Sequence, residues 1–462
     1  MKIIIIGYGA VSAAFLPILV SELGQTITSL KIIAPCIEDR QTRTHGLTIT
    51  WHNQALTKEN YTNTLKDLDE ETCLINLSVD VATLPLVLFC QEKGALYLDT
   101  CIEPWAGHYT NSNIDLQKRT NHSLRAHLLA EKRLFRNGPT AVIAHGANPG
   151  LVSHFVKQAL LNLRHDLMGA SDHIPATRQE WAQLAWKLNI KTIHIAEHDT
   201  QAAKIAKHPD EFVNTWSVDG FIGEGCQPSE LGWGTHEQTL PDGAKFHTPT
   251  CKKSIYLNRP GTSVRIKTWT PACGPCLGFL ITHNESLSLS DYLTYRPNDQ
   301  EIYRPTVTYA YHPCNDAILS VHELNGNSLR PQRHRRVLKG DEIISGADYL
   351  GVLLMGHEKN AYWYGSVLKN TTAQTLNPAS SATTLQVAAG VLAGIKWALK
   401  HPKRGIVEAE EMDFAFALDI SRRYLGDMVG VYTEWIPTCN KEVLFPSESN
   451  SDDAWQFENF LE

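Results

Sequence analysis

Gly7-Tyr8-Gly9-Ala10-Val11-Ser12 is the first string in the chain whose residue types and spacing can do chemistry. Gly7 permits a tight turn, Gly9 lets backbone approach a pyrophosphate, and a helix N-terminus behind them favours its negative charge. Ser12 stands where a third glycine is usual, a position that asks for a small residue so that helix and strand can pack. A second group runs from Glu197 to Trp233, where Glu197, Trp216, Asp219, Glu224, Glu230 and Trp233 meet little competing Lys or Arg. Carboxylates can take a proton or hold an ammonium, and an indole face attracts a cation by about 0.5–2 kcal/mol. Spacing alone also allows the ordinary alternatives, a core tryptophan and a solvated glutamate. In Gly146-Ala147-Asn148-Pro149-Gly150 the glycines allow close backbone approach and the Asn148 amide can bond a ligand. The same string also reads as a turn between two domains.

Cys273-Gly274-Pro275-Cys276 spells a redox dithiol, a chemistry that needs its first cysteine at a helix N-terminus. The run that follows, 277–281, reads as a strand instead, so the motif is taken as a turn carrying two thiols. A zinc pair would need two further ligands that spacing does not identify, and no metal site is predicted. His283 follows the strand-like run 278–282 and falls at its tip, a candidate acid or base.

The glycine string needs a strand before it and a helix after it. Residues 2–6 are almost wholly apolar and β-branched, as a central parallel strand is, and 13–23 read as a helix stopped by Gly24. A second strand at 30–34 ends in Ala34-Pro35, with Glu38, Asp39, Arg40 and Arg43 just beyond. That mixture leaves NAD and NADP both open. Strands at 72–77 and 95–98 enclose a helix at 82–92, an alternation that predicts a doubly wound parallel sheet. Ligands of such sheets lie at the carboxyl ends of the strands, so Ser78-Val79-Asp80 and Asp99-Thr100 are candidate contacts. Asp80 and Asp99 also read as simple caps.

The 462 residues, 43% hydrophobic and 20% charged, suit two or three globular domains. A net charge of −7 carries no basic footprint for nucleic acid. Ten dispersed cysteines read as reduced thiols rather than a disulfide framework, and Gly7 and Gly9 interrupt the N-terminal apolar run too early for a signal peptide. No membrane span is predicted. Residues 324–341 read as an exposed hairpin or loop, 349–355 and 360–366 as strands, and 384–399 as a strong helix. The polar stretch 447–453 and mixed 455–461 read as a mobile tail or an oligomer contact.

Several strings, in order along nearly the whole chain, resemble bacterial homospermidine synthases. They are Leu96-Tyr97-Leu98-Asp99-Thr100-Cys101-Ile102-Glu103-Pro104-Trp105, Arg119-Thr120-Asn121, His145-Gly146-Ala147-Asn148-Pro149-Gly150 and Ile195-Ala196-Glu197-His198-Asp199-Thr200. Asn214-Thr215-Trp216-Ser217, Gly278-Phe279-Leu280-Ile281-Thr282-His283 and Thr384-Leu385-Gln386-Val387-Ala388-Ala389 complete the likeness. The family is similar in build to saccharopine dehydrogenase-like reductases. The resemblance implies an α/β fold, with an N-terminal Rossmann domain over 1–147 and a helix returning to it near 381–402. A mixed α/β catalytic and dimerisation domain over 148–380 and a helical segment and tail over 403–462 complete the expected division.

It also implies a cytoplasmic homodimer that moves an aminobutyl group from putrescine, or from spermidine, to a second putrescine through imines, with loss of ammonia. NAD is retained like a prosthetic group, and neither nucleic acid nor membrane is a partner. The catalytic residues it implies are Glu197, Trp216, Glu224, His283, Asn148 and Glu103. Trp216 takes the cation, and Glu197 and Glu224 share the roles of base and ammonium anchor. The cofactor contacts are Gly7, Gly9, Ala10, Val11, Ser12, Ser78, Val79, Asp80, Asp99, Thr100, Gly146, Ala147, Asn148 and Pro149; Glu103 and Trp105 can face the same cleft. Two rivals stay open: a saccharopine-type NAD(P)-dependent oxidoreductase acting on an amino-acid-derived imine, which would want paired arginines, and a non-catalytic NAD-sensing protein.

Overall fold

Lys2–Ile6 lies at the centre of a parallel sheet, with Ile3 and Ile5 fully buried and Ile3 registered between Leu30 and Cys73. A strand covered on both faces is expected to be apolar throughout, and Thr72–Asn76 beside it is buried at every residue. The computed structural model describes residues 1–35, 43–44, 47–247, 251–438 and 453–462. Across this first sheet the strands run Ile406–Glu408, Ala141–Ile143, Leu96–Asp99, Thr72–Asn76, Lys2–Ile6, Ser29–Ala34, Leu47–Asn53 and Arg43–Thr44. All neighbours are parallel except the last pair. The fold is the expected α/β class, with element ends within a few residues of the sequence reading.

The second sheet has ten strands among the described residues and is mixed. Its centre pairs Thr192–Asp199 with Thr306–His312 in parallel and with Ala347–His357 in antiparallel fashion. A hairpin, Arg265–Thr270 with Gly274–Ile281, branches from Thr306–His312. Helix Leu151–Met168 carries the chain out of the first sheet and packs on Ala347–His357 and Asn360–Lys369.

Helix Ala382–Lys400 runs back to the first sheet and packs on helix Ala10–Leu23. The Ser381 hydroxyl accepts from Thr384 N at 3.1 Å, a cap worth about 1 kcal/mol. The contact is close because Gly390 bears no side chain: a Cβ there would fall 2.0 Å from the Gly146 carbonyl oxygen. The helix is long and apolar enough to cross a membrane, with mean hydropathy 1.3, yet 83% of it is buried inside the molecule.

Three expectations need correction. Residues 403–462 are not a helical tail alone: Ile406–Glu408 joins the first sheet and Asp427–Thr433 the second. The final residues are not free, because Phe457 and Phe460 are fully buried and Leu461 bridges Ile266. Most of the polar stretch 447–453 lies outside the described residues. Residues 324–341 are no hairpin either: His334–Val337 pairs in parallel with Glu211–Asn214, which its Arg-rich composition concealed.

Candidate active site

A cavity of about 380 Å³ opens where the carboxyl ends of the first sheet face the second. Gly7 turns the chain at φ +88°, and a Cβ there would meet the Leu77 carbonyl at 2.9 Å. Gly9 differs: nothing lies within 4 Å of a Cβ placed on it, so the space before it is open. Ala10, at the start of helix Ala10–Leu23, and Val11 share this wall with Ser78, Val79, Thr100, Gly146, Ala147, Asn148 and Pro149. Ser12 lies beneath the wall, where its hydroxyl donates to the Gly7 carbonyl at 2.8 Å and braces the turn. An open turn at a helix N-terminus fits a dinucleotide pyrophosphate.

Not every expected contact reaches this wall. Asp99 is buried in the sheet, where it accepts from Thr83 Oγ1 at 2.7 Å, Tyr97 OH at 2.9 Å and Ala144 N at 2.6 Å. Burial raises its carboxyl to about 7 against those donors. It is enclosed by these donors and does not line the cavity. Asp80 sits at φ +63° beside the cavity rather than in its lining. Partial burial, then the charge of Asp219, raises its carboxyl above the usual range. Glu38, Asp39 and Arg40 lie outside the described residues, as does the side chain of Arg43.

The opposite wall is built from side chains. Helix Val218–Cys226, capped by the Ser217 hydroxyl accepting from Gly220 N at 3.0 Å, brings Glu224 to the cavity. Glu224 Oε2 lies 3.2 Å from His283 Nε2, and Glu285 Oε1 lies 3.0 Å from His283 Nδ1. Burial disfavours charge on that imidazole, but the two flanking carboxylates outweigh it and raise His283 to about 10. Glu103 lines both the cavity and a small recess behind it, shared with His283, Glu224 and Asn121. Burial raises Glu103 to about 8; the Cys101 thiol, donating at 3.3 Å, opposes this and the Glu224 charge adds to it.

Trp216 lines the cavity from above the helix N-terminus, its Nε1–H donating to Tyr311 OH at 3.1 Å. A Cβ on Gly220 would approach the indole to 3.1 Å, so this glycine makes room for the ring. Glu197, on Thr192–Asp199, accepts from the Asn148 amide and from Tyr309 OH, each at 2.5 Å and both on Oε2. Burial raises Glu197 to about 7 despite these two donors. Asn148 therefore ties the cofactor wall to the acid wall.

The structure thus gathers Glu103, Asn148, Trp216 and Glu224 around one space, with Glu197 bonded behind Asn148 and His283 behind Glu224 in the adjoining recess. It leaves out Trp233, which packs on Phe457 in the core, and Trp105, which meets Tyr61 beside a neighbouring hollow. Glu230 faces His247 at 2.9 Å instead. Sequence reasoning missed Tyr309, Tyr311, Glu285 and Arg335. Tyr309 and Tyr311 stand two apart on Thr306–His312 and stack at 5.3 Å, a period-2 signal that a strand reading of this run would have found. Arg335 brings a cation to the cavity, whereas Lys204 and Lys207 of the Glu197 to Trp233 stretch do not line it, and the Arg335 Nε donates to Asp219 Oδ1 at 2.5 Å.

Comparison with known proteins agrees with this layout. Residues 3–142 match the saccharopine dehydrogenase NADP binding domain, and 146–431 match the saccharopine dehydrogenase C-terminal domain. The chain is 47% identical to homospermidine synthase of Blastochloris viridis, covering 99% of this chain and 97% of that protein. It is 44% identical to homospermidine synthase of Mesorhizobium japonicum, over 99% and 96% respectively. The crystal structure of homospermidine synthase from Legionella pneumophila in complex with NAD superposes with TM-score 0.89 at 42% identity, covering 100% of this chain and 97% of that one. This chain belongs to the homospermidine synthase family, enzymes assembled from a saccharopine dehydrogenase-type nucleotide-binding domain and its C-terminal partner.

Proposed function

We propose that this enzyme transfers an aminobutyl group from putrescine, or from spermidine, to a second putrescine, releasing ammonia without net oxidation. One observation carries the reading: the cavity joins an open glycine turn to an indole and to the carboxyls of Glu103 and Glu224. NAD is the proposed cofactor, as in the solved relative, held by the turn and helix N-terminus at Gly7, Gly9, Ala10 and Val11. When bound it supplies a hydride acceptor and, later in the same turnover, a hydride donor.

The chain's own groups do the rest. A protonated amine has no lone pair with which to expel a hydride, so a base must first take its proton. Glu197 Oε1 is proposed for that step, since Oε2 is held by Asn148 and Tyr309 and its carboxyl sits near 7. The Trp216 face holds the cationic imine carbon without removing its proton. Glu224, steadied through Oε2 by His283, anchors the remote ammonium, and Glu197 returns the proton it took to the departing ammonia. Glu103 ionises as the diamine arrives. Exclusion of water by these walls protects the imine from hydrolysis.

We also propose that the cofactor stays bound through turnover. We propose too that the enzyme is a cytoplasmic homodimer whose domains divide near residue 147; light scattering of the purified protein tests the dimer. The saccharopine-type alternative is disfavoured because Arg335 is the one cation among the described lining residues and is already paired. The test is product analysis from putrescine with less than one equivalent of NAD. Many equivalents of homospermidine and no net NADH are expected; stoichiometric aldehyde and NADH would refute the assignment.

A further inference from the structure

The thiols of the Cys273-Gly274-Pro275-Cys276 turn have a third partner that sequence spacing does not reveal. His198 Nδ1 lies 3.2 Å from Cys273 Sγ, and these two atoms and Cys276 Sγ all fall within 4.8 Å of one another. Gly274, at φ +72°, reverses the chain immediately after Cys273, as a metal-binding knuckle between two strands requires. A tetrahedral zinc with bonds of about 2.3 Å to sulfur and about 2.0 Å to nitrogen places its ligand atoms about 3.5–3.8 Å apart. The three groups need only small side-chain adjustments to meet those separations. Thr270 Oγ1, 3.3 Å from His198 Nδ1 and 3.6 Å from Cys273 Sγ, is a neighbouring hydroxyl that can donate to a thiolate.

The location gives the cluster a purpose. On Thr192–Asp199 and Thr306–His312, Glu197 is the register partner of Tyr311, and His198 that of His312. Successive residues of a strand face opposite sides, so Glu197 and Tyr311 lie on the face that meets Asn148 and Trp216 while the two histidines stack at 4.0 Å on the other side. The thiol turn therefore lies across the sheet from the site, one residue removed along each strand. We propose that Cys273, Cys276 and His198 form a binding site for a soft divalent metal of the zinc class. The metal pins the hairpin Arg265–Thr270 with Gly274–Ile281 to the back of the site. Its binding converts the two thiols to thiolates and releases their protons to solvent, and the fourth position is open to water or His312.

A second cluster, His122, Glu230 and His247, is of a different kind. It contains no sulfur, and Glu230 already accepts from His122 N at 3.1 Å and from Thr282 Oγ1 at 3.2 Å.

Cobalt(II) distinguishes the two, because only sulfur ligation gives an intense thiolate-to-cobalt charge-transfer band. Reduced, chelator-treated full-length protein titrated with Co²⁺ should show that band saturating at one equivalent and bleached by Zn²⁺. Zn²⁺ should also raise Tm. The band should vanish in the Cys273→Ser, Cys276→Ser double variant, with unchanged circular dichroism showing that it folds, and should shift in His198→Asn. No charge-transfer band in the parent, or an undiminished band in the folded double variant, overturns the proposal. So does recovery of a Cys273–Cys276 disulfide from protein isolated with zinc present.

Discussion

The two walls of the cavity are made in different ways. The Gly7 to Val11 wall is largely backbone, shaped by what its glycines lack, and it carries no carboxylate or imidazole. The facing wall is side chains, with Glu103, Glu224 and Trp216 in the lining and Glu197, His283 and two tyrosines bonded or packed behind them. A wall of the first kind fails when an atom is added. One of the second kind fails when a charge is removed, and its members respond jointly because each sets the ionisation of the next.

The largest effect should follow from adding atoms. Gly9→Val fills the open space before the turn while leaving the fold intact. With steric costs of about 3 kcal/mol or more, NAD binding should weaken by roughly two orders of magnitude, read by titration. Unchanged affinity would erase the distinction between the walls.

Next come the charges. Glu224→Gln keeps shape and removes one carboxylate. Losing a charged hydrogen bond of about 1.5–3 kcal/mol should weaken diamine binding roughly ten- to a hundredfold and leave monoamine binding nearly unchanged. Equal losses for both ligands would assign Glu224 a structural part. Trp216→Ala should lower kcat by about thirtyfold, the equivalent of about 2 kcal/mol of cation–π attraction, and Trp216→Phe by less.

A subtler effect concerns protons. Glu103, near 8 when the site is free, is largely protonated at neutral pH and must ionise beside an incoming ammonium. Putrescine binding should therefore release protons near pH 7, less as the buffer is raised past 8, as measured by calorimetry in buffers of different ionisation enthalpy. Glu103→Gln should reduce that release. The smallest effect is expected from Asp219→Asn: its pair with Arg335 is half exposed and should be worth less than about 1 kcal/mol of stability.

The same difference decides what could be read from the sequence. The backbone wall was legible because its requirements are local: strand, glycines and helix are consecutive, and Gly7, Gly9, Ala10 and Val11 lie where expected. Asp99 was misjudged because a strand tip can turn its carboxyl inward as readily as outward. The acid wall is long-range. Tyr309 reaches Glu197 across 112 positions and His283 reaches Glu224 across 59, distances at which spacing carries no information. Trp216 lies in a string that carries the family resemblance and Glu224 in the acidic stretch beside it, whereas Tyr311, Glu285 and Arg335 lie outside both. Trp233 and Glu230 share the same stretch but fall on other faces.

The central claim is that one hydride leaves and returns within a single closed site. Putrescine deuterated at both amino-bearing carbons, supplied with NAD and a large excess of unlabelled NADH in solution, tests it directly. If the cofactor stays in place between the two walls, the homospermidine formed keeps every deuterium of its two parents. A product one deuterium short, diluted by the NADH pool, would contradict the account.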